Sequence, residues 1–480
     1  MITKNSKRYT NCAAMLATCS LVIGCVVTKA PESRLNDVSG MTDGNGRWTA
    51  TKEGRSGVDR DWVKRFSDAK LSRLVNEAVT SNPDMRVAAE RVKQAQQTAY
   101  IAGASGRLKS SVGLDGNRRK NVFVGFPFGG SQTSNTYGLD LMVSWEPDIW
   151  GRVSAGVSAA VADAQAVELE RRAAESSLAA RVCKAWFALC EAHEQNNLAS
   201  QAHELRKKTL EAVRERFESA LTEEGGAASQ LRLAETNLAT SLANKAKTGG
   251  DVEAAQRQLE LLVGRYPSAS LKGSVKLPRV PAKPPSGLPS ELLMRRPDIL
   301  AAERRYAATG KSIREARLAV FPQIKLTGNG GSNTDSLSKI LSSQFGVWSI
   351  GANISQNILT GGQVKGELSI RTSRERQALA ELQSTVLKAF GEVESALAAD
   401  RWLAKRITEL EKANKLASEA ASSSEEDFVT GNVDLLTVLT AQNNKIDIAS
   451  SLVLLRRVQL DNRVNLHLAL GGEFRTVGRK

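Results

Sequence analysis

Two segments of the chain alternate apolar and polar residues with a period of two. In "TYGLDLMVSWEPDIWGRV", Tyr137, Leu139, Leu141, Val143 and Trp145 fall on one face. Gly138, Asp140, Ser144 and Glu146 fall on the other, with Met142 the exception. "VWSIGANISQNILTGGQV" repeats the pattern, with Trp348, Ile350, Ala352 and Ile354 opposite Ser349, Gly351, Asn353 and Ser355, and the two segments align without a gap. Such alternation describes a strand with an apolar medium on one side and water on the other. A further candidate strand precedes each, Leu108 to Gly116 and Pro322 to Gly330. The pattern therefore predicts strands at about 108–117, 136–146, 322–331 and 346–358. The connections, "NRRKNVFVGFPFGGSQTSN" and "GSNTDSLSKILSSQ", read as exposed hairpin loops.

The remaining pattern is helical. From Val153 to about Leu221 no proline occurs, which allows one helix of roughly 100 Å. Leu178, Val182, Ala185, Leu189 and Ala192 step by four and three, a coiled-coil seam. Leu439, Ile446, Val453 and Leu460 recur every seven. Long helices are predicted at about 152–221, 227–263, 362–429 and 434–470. The fold class is mainly α, long coiled-coil helices with four β-strands per chain.

An internal repeat organises these elements. "NPDMRVAAER" from Asn82 returns as "RRPDILAAER" from Arg295, and each copy leads into the same order of strands and long helices. Pro83 and Pro297 fit helix starts, where the missing N–H costs nothing and Asp84 or Asp298 meets the positive end. The expected organisation is a leader at 1–24, a first repeat at 25–265, a linker at 266–296, a second repeat at 297–472 and a tail at 473–480. Four strands cannot enclose a lumen. An open edge in lipid would leave backbone N–H and C=O groups unpaired at a cost of several kcal/mol each, so another chain must complete the barrel.

The amino terminus changes the picture by adding an address. Lys4, Lys7 and Arg8 precede a short apolar run that ends at Val22-Ile23-Gly24-Cys25, a secretory signal with a lipobox. The run is too short and interrupted to remain as a span. The pattern resembles bacterial lipoprotein signals, in which the cysteine, here Cys25, becomes the acylated amino terminus; Val26 in the next position favours the outer membrane.

Charge and candidate chemistry add exclusions. The leader holds three basic and no acidic residues, so its removal takes the net charge from +15 to +12. The basic residues are interleaved with Glu and Asp along the helices, as on a solvated coiled-coil face, and aromatics are only 5% of the chain, so nucleic-acid binding is not expected. Cys183 and Cys190 sit on one helix face about 10 Å apart along the axis, too far to pair, and read as small buried hydrophobes. His193, His203 and His467 are scattered without metal-ligand partners, and His193-Glu194 reads as a wet helix face. "ATGKS" (Ala308 to Ser312) resembles the end of a phosphate-binding loop, but Arg305 stands at the first glycine position and the run lies mid-helix. No enzyme is expected, and neither a metal nor a cofactor.

The chain resembles the TolC-like outer-membrane efflux proteins, specifically the acylated NodT branch. The lipobox, "WVKRFSDAKLSRLVNEAVTSNPDMRVAAERV", "SWEPDIWGRV", "RRPDILAAERR" with "AVFPQI", "ILTGGQV", "AFGEVESALAA" and "TGNVDLLTVLTAQ" with "LHLALGG" carry the resemblance over nearly the whole chain. It implies a homotrimer whose strands form one barrel in the outer membrane of a Gram-negative bacterium, above a helical barrel in the periplasm. It implies as partners a periplasmic adaptor, an RND-type inner-membrane transporter and outer-membrane lipid, and diacylglycerol and N-acyl groups on Cys25. The two helix tips map to Phe217–Leu231 and Phe428–Leu439. Gly225, Gly226 and Gly431 suit the turns there, and Glu223, Glu224 and Asp434 are candidates for a charged ring. Asp434 equally suits a helix N-cap. Relatives often carry the aspartate one residue earlier, where this chain has Val433. Tyr137, Trp145 and Trp348 are candidates for the aromatic girdle of the membrane band. The alternative is a structural periplasmic coiled-coil lipoprotein without transport activity.

Overall fold

The computed structural model describes residues 30–41, 48, 62–123, 130–220, 228–273, 276–285 and 289–472. The principal elements run in the order α1 (Ala69–Ser81), α2 (Pro83–Ala102), β1 (Lys109–Phe123), β2 (Gly130–Trp145), α3 (Arg152–Ala220), α4 (Ala228–Val263), α5 (Pro297–Leu318), β3 (Gln323–Thr334), β4 (Gly346–Ser355), α6 (Gln363–Thr430) and α7 (Leu435–Ala469). Helices begin at both repeat prolines. None of the described helices is long and apolar enough to cross a membrane.

The chain divides into two compact units. The first contains 92–167 and 302–382 with the amino-terminal residues to Arg34, and it holds the only sheet among the described residues. The sheet is antiparallel in the order β1-β2-β3-β4, so β1 and β4 are edges. The alternating pattern locates the strands but underestimates the first hairpin. β1 extends to Phe123 and β2 starts at Gly130, so most of the segment expected as a loop is paired. The reason is that Asn117 to Asn121 carry no apolar alternation, which is what marks a strand with one dry face. The second hairpin is connected by 3-10 turns at Leu337–Lys339 and Ser343–Phe345.

The second unit contains 35–91, 168–301 and 383–480. Its main core gathers Trp62 and Phe66, Leu71 and Val75 of α1, Leu178, Val182, Trp186 and Leu189 of α3, Leu259 and Val263 of α4, and Leu460 and Val464 of α7. The coiled-coil seam read from sequence thus points inward. Cys183 and Cys190 lie in it as free, buried thiols, and burial pushes Cys183 far above the ordinary thiol range. The Trp186 indole donates to Asp68 at 2.8 Å, while the same carboxylate caps α1 through Lys70 and Leu71.

The linker is ordered where it is described, and this corrects the reading of His193-Glu194 as a wet face. Glu194 accepts from the Leu277 backbone N–H at 2.6 Å, and a side chain at Gly273 would collide with the His193 ring. The start of the linker is held by Glu260, a buried carboxylate of α4 that accepts the backbone N–H groups of Ala269, Ser270 and Leu271 at 2.8, 2.8 and 3.0 Å. Burial alone would raise the Glu260 pKa; the donors outweigh it and hold the group below its ordinary value.

Candidate functional site

The sheet register sorts its residues by chemistry. β1 pairs with β2 without a bulge, placing Val112 beside Leu141 and Leu114 beside Leu139. β2 and β3 bring Val143 to Gly328 and Trp145 to Leu326; β3 and β4 bring Leu326 to Ala352 and Ile324 to Ile354. Because side chains alternate across a strand, these apolar residues share one face with Tyr137, Trp348 and Ile350. Trp348 and Ile350 are each 79% exposed, so the chain does not cover this face itself. The opposite face carries Asp115, Asp140, Asn329, Asn333 and Asn353. An apolar outer face and a polar inner one are what a wall between lipid and water requires.

Glycines let this wall close. Asp140 lies across Gly113, where an added Cβ would meet its Oδ1 at 2.9 Å, and Asp115 lies across Gly138. At Gly331 a Cβ would run into the Leu139 carbonyl, so only glycine permits the close approach of β3 to β2. Of the girdle candidates, Trp145 donates its indole N–H to the Gly106 carbonyl at 3.1 Å, at the helix-linked end of β2. Tyr137 packs over Gly116, in the row where pairing of β2 with β3 ends, and Trp348 stands in the row of Leu141 and Gly330.

At the second helix tip, Gly431 adopts φ +84 and ends α6 in a Schellman turn, its N–H on the Phe428 carbonyl and that of Asn432 on Asp427. Asp434 is the exposed N-cap of α7 and accepts from the Thr437 N–H at 2.8 Å, which holds its carboxyl below the usual range. Two arginines of α3 that sequence reading did not single out tie this turn down. Arg216 donates to the Phe428 carbonyl at 3.2 Å and lies over the Phe428 ring. Arg206 is buried and binds Gln442 and Asn443, and Gln442 reaches Glu425 at 2.9 Å. Their helical spacing gives no signal, because a buried arginine and a solvated one read alike in a charged helix. An open apolar groove of about 750 Å³ runs between α6 and α7, lined by Leu416, Ala420, Leu436 and Ile448 among others. Glu223, Glu224, Gly225 and Gly226 of the first tip lie outside the described residues.

Cys25 also lies outside them, but the strap that follows it is placed. The Arg34 backbone N–H and guanidinium bind Glu303 and Glu375 at 2.7 and 2.8 Å, and Arg304 donates to the Pro31 carbonyl at 2.9 Å. The Glu303-Arg304 pair of the second Ala-Ala-Glu-Arg copy therefore holds residues 31–34 within the sheet-bearing unit. Its upstream neighbour Arg296, also buried, grips Asp298 bidentately and reaches Glu392 at 2.6 Å. Among the described residues no cluster of potential metal ligands occurs.

An exposed apolar sheet face on a helical protein of this connectivity defines a membrane channel wall. The sequence matches the outer membrane efflux protein family over residues 74–265 and 288–472, and the chain belongs to that family. It is 27% identical over 417 residues to "Probable outer membrane lipoprotein SilC" of Salmonella typhimurium, covering 86% of this chain and 88% of the relative. It is 28% identical to the pyoverdine export outer membrane protein OpmQ of Pseudomonas aeruginosa, covering 96% and 97%. The solved outer-membrane channel OprN superposes with a TM-score of 0.82 at 26% identity, over 93% of this chain and 99% of that one. The protein is thus an outer-membrane efflux duct, and its family consists of channels, not enzymes.

Proposed function

We propose that three copies of the chain share one barrel of about twelve strands, and that the assembly gives solutes a passive exit. The register of the four-stranded sheet carries this reading: it collects a single apolar face yet leaves β1 and β4 as open edges. In lipid each unpaired edge group costs several kcal/mol, and joining β1 of one copy to β4 of the next removes that cost. Catalysis and a bound cofactor have no part in the mechanism. Work is done by an inner-membrane transporter of the RND type, and a periplasmic adaptor passes the cargo on. The groove between α6 and α7 supplies apolar surface for an adaptor hairpin. Asp434 stands at the tip of one helix pair, where a ring of carboxylates would favour cations.

Acylation of Cys25 with diacylglycerol and an N-acyl chain adds a second hold on the membrane. Five residues separate Cys25 from Pro31, six steps along the chain and a reach of at most about 22 Å from the docked strap. The competing reading, a structural coiled-coil lipoprotein, leaves the apolar sheet face without a purpose. The test is extraction in detergent followed by planar-bilayer recording. A heat-resistant oligomer with ion conductance is expected; a monomer that conducts nothing would overturn the proposal.

A further inference from the structure

The first hairpin outgrows the sheet. Pairing of β2 with β3 ends at Tyr137 opposite Thr334, whereas β1 and β2 stay paired from Asn117–Thr136 to Phe123–Gly130. At about 3.4 Å per residue this two-stranded ribbon rises some 24 Å beyond the Tyr137 row. The pairing is one to one throughout, so the faces of the sheet continue into it. The apolar face of Val112, Leu114 and Gly116 leads to Arg118, Lys120 and Val122. The opposite face of Asp115 leads to Asn117, Arg119 and Asn121.

On the apolar face the order along the hairpin is therefore Leu141, Leu139, Tyr137, then Arg118 and Lys120, both exposed. A hydrocarbon core of about 30 Å is flanked by headgroup layers of roughly 5–8 Å on each side, with Tyr and Trp favoured at the boundary. Arg118 lies two rungs, about 7 Å, past Tyr137, and Lys120 two rungs further. Long basic side chains at that height can lie along apolar surface and present their charge to phosphate. From Gly116 to Thr136 the chain has three basic residues and no carboxylate to neutralise them. The second hairpin differs: its Lys339 pairs with Asp335 at 3.4 Å.

We propose that Arg118 and Lys120 form a binding site for phosphorylated lipid headgroups in the leaflet on the hairpin side of the membrane. The proposal rests on the apolar sheet face meeting lipid. A guanidinium offers a planar fork to a phosphate and an ammonium offers a mobile point charge, so the pair suits a headgroup with more than one phosphate.

The test uses the full chain in neutral detergent, titrated with lipid A, a diphosphorylated glycolipid, with bound lipid counted by native mass spectrometry. The wild type is expected to bind it, and R118Q/K120Q to lose about tenfold or more in apparent affinity, as two membrane-surface charges warrant. R118K/K120R keeps both charges and should bind as the wild type does. R119Q, altered on the opposite face, should also retain binding. Unchanged affinity in R118Q/K120Q, an equal loss in R119Q, or displacement by equimolar inorganic phosphate would overturn the site. Wild-type conductance in bilayers of pure phosphatidylcholine is recorded in parallel. Its absence would count against the channel, whereas conductance without lipid binding would count against the headgroup site alone.

Discussion

At the scale of single residues, buried charge does more here than a helix-rich sequence announces. Glu260 holds three linker N–H groups, and hydrogen bonds to a charged group contribute about 1.5–3 kcal/mol each. Glu260→Gln keeps one acceptor oxygen, so a loss of about 2–3 kcal/mol is expected, with faster proteolysis in the linker as the readout. Because the Glu260 pKa is lowered, its contribution is present above the ordinary carboxylate value and is lost as pH falls through the depressed one. Asp461 has the opposite sign. Burial pushes it up to about 6, against the pull of Arg457 at 2.8 Å and of Lys184, while Glu191 adds to the rise. Its contribution is full below the unfolded value and disappears as pH rises through about 6. Asp461→Asn does not titrate, so its melting temperature should gain on the wild type between about pH 4.5 and 7.5. Equal differences at both pH values would refute the assignment. For Asp434→Ala, loss of the cap loosens the first turn of α7, and single-channel cation selectivity should fall if the carboxylate faces the conduction path.

At the scale of elements, the strands were legible where one face is apolar and unreadable where both are wet. Leu139, Leu141 and Val143 announce β2, but Arg118 to Asn121 pair only because β2 lies opposite, a fact carried by register and not by local pattern. The helix boundaries at Pro83 and Pro297 follow from proline chemistry. The linker does not, since its order depends on Glu194 and Glu260, carboxylates in other elements whose destination no spacing reveals. The twin segments likewise look equivalent in sequence, and only packing distinguishes Glu303-Arg304, which holds the amino-terminal strap. The glycines of β3 give an element-level test. Gly331→Val would force β3 away from β2 and should abolish the heat-resistant oligomer, while Gly330→Ser enters open space and should preserve it. Equal behaviour of the two variants would show that the close approach is unimportant.

For the whole molecule, anchoring and assembly are separable. In the proposed assembly, where the barrel is already embedded, an acyl group on Cys25 would contribute only a modest extra affinity. Cys25→Ala is therefore expected to retain conductance in reconstituted bilayers but to reach the outer membrane in reduced amount, measured by fractionation. Wild-type levels in that fraction would make the acyl group accessory. The unequal hairpins carry one more consequence. In a ring of three such chains, tall ribbons alternate with short turns, so the cationic residues recur at three separate places around the circumference, at headgroup height, and the lipid collar they gather is three-fold instead of uniform.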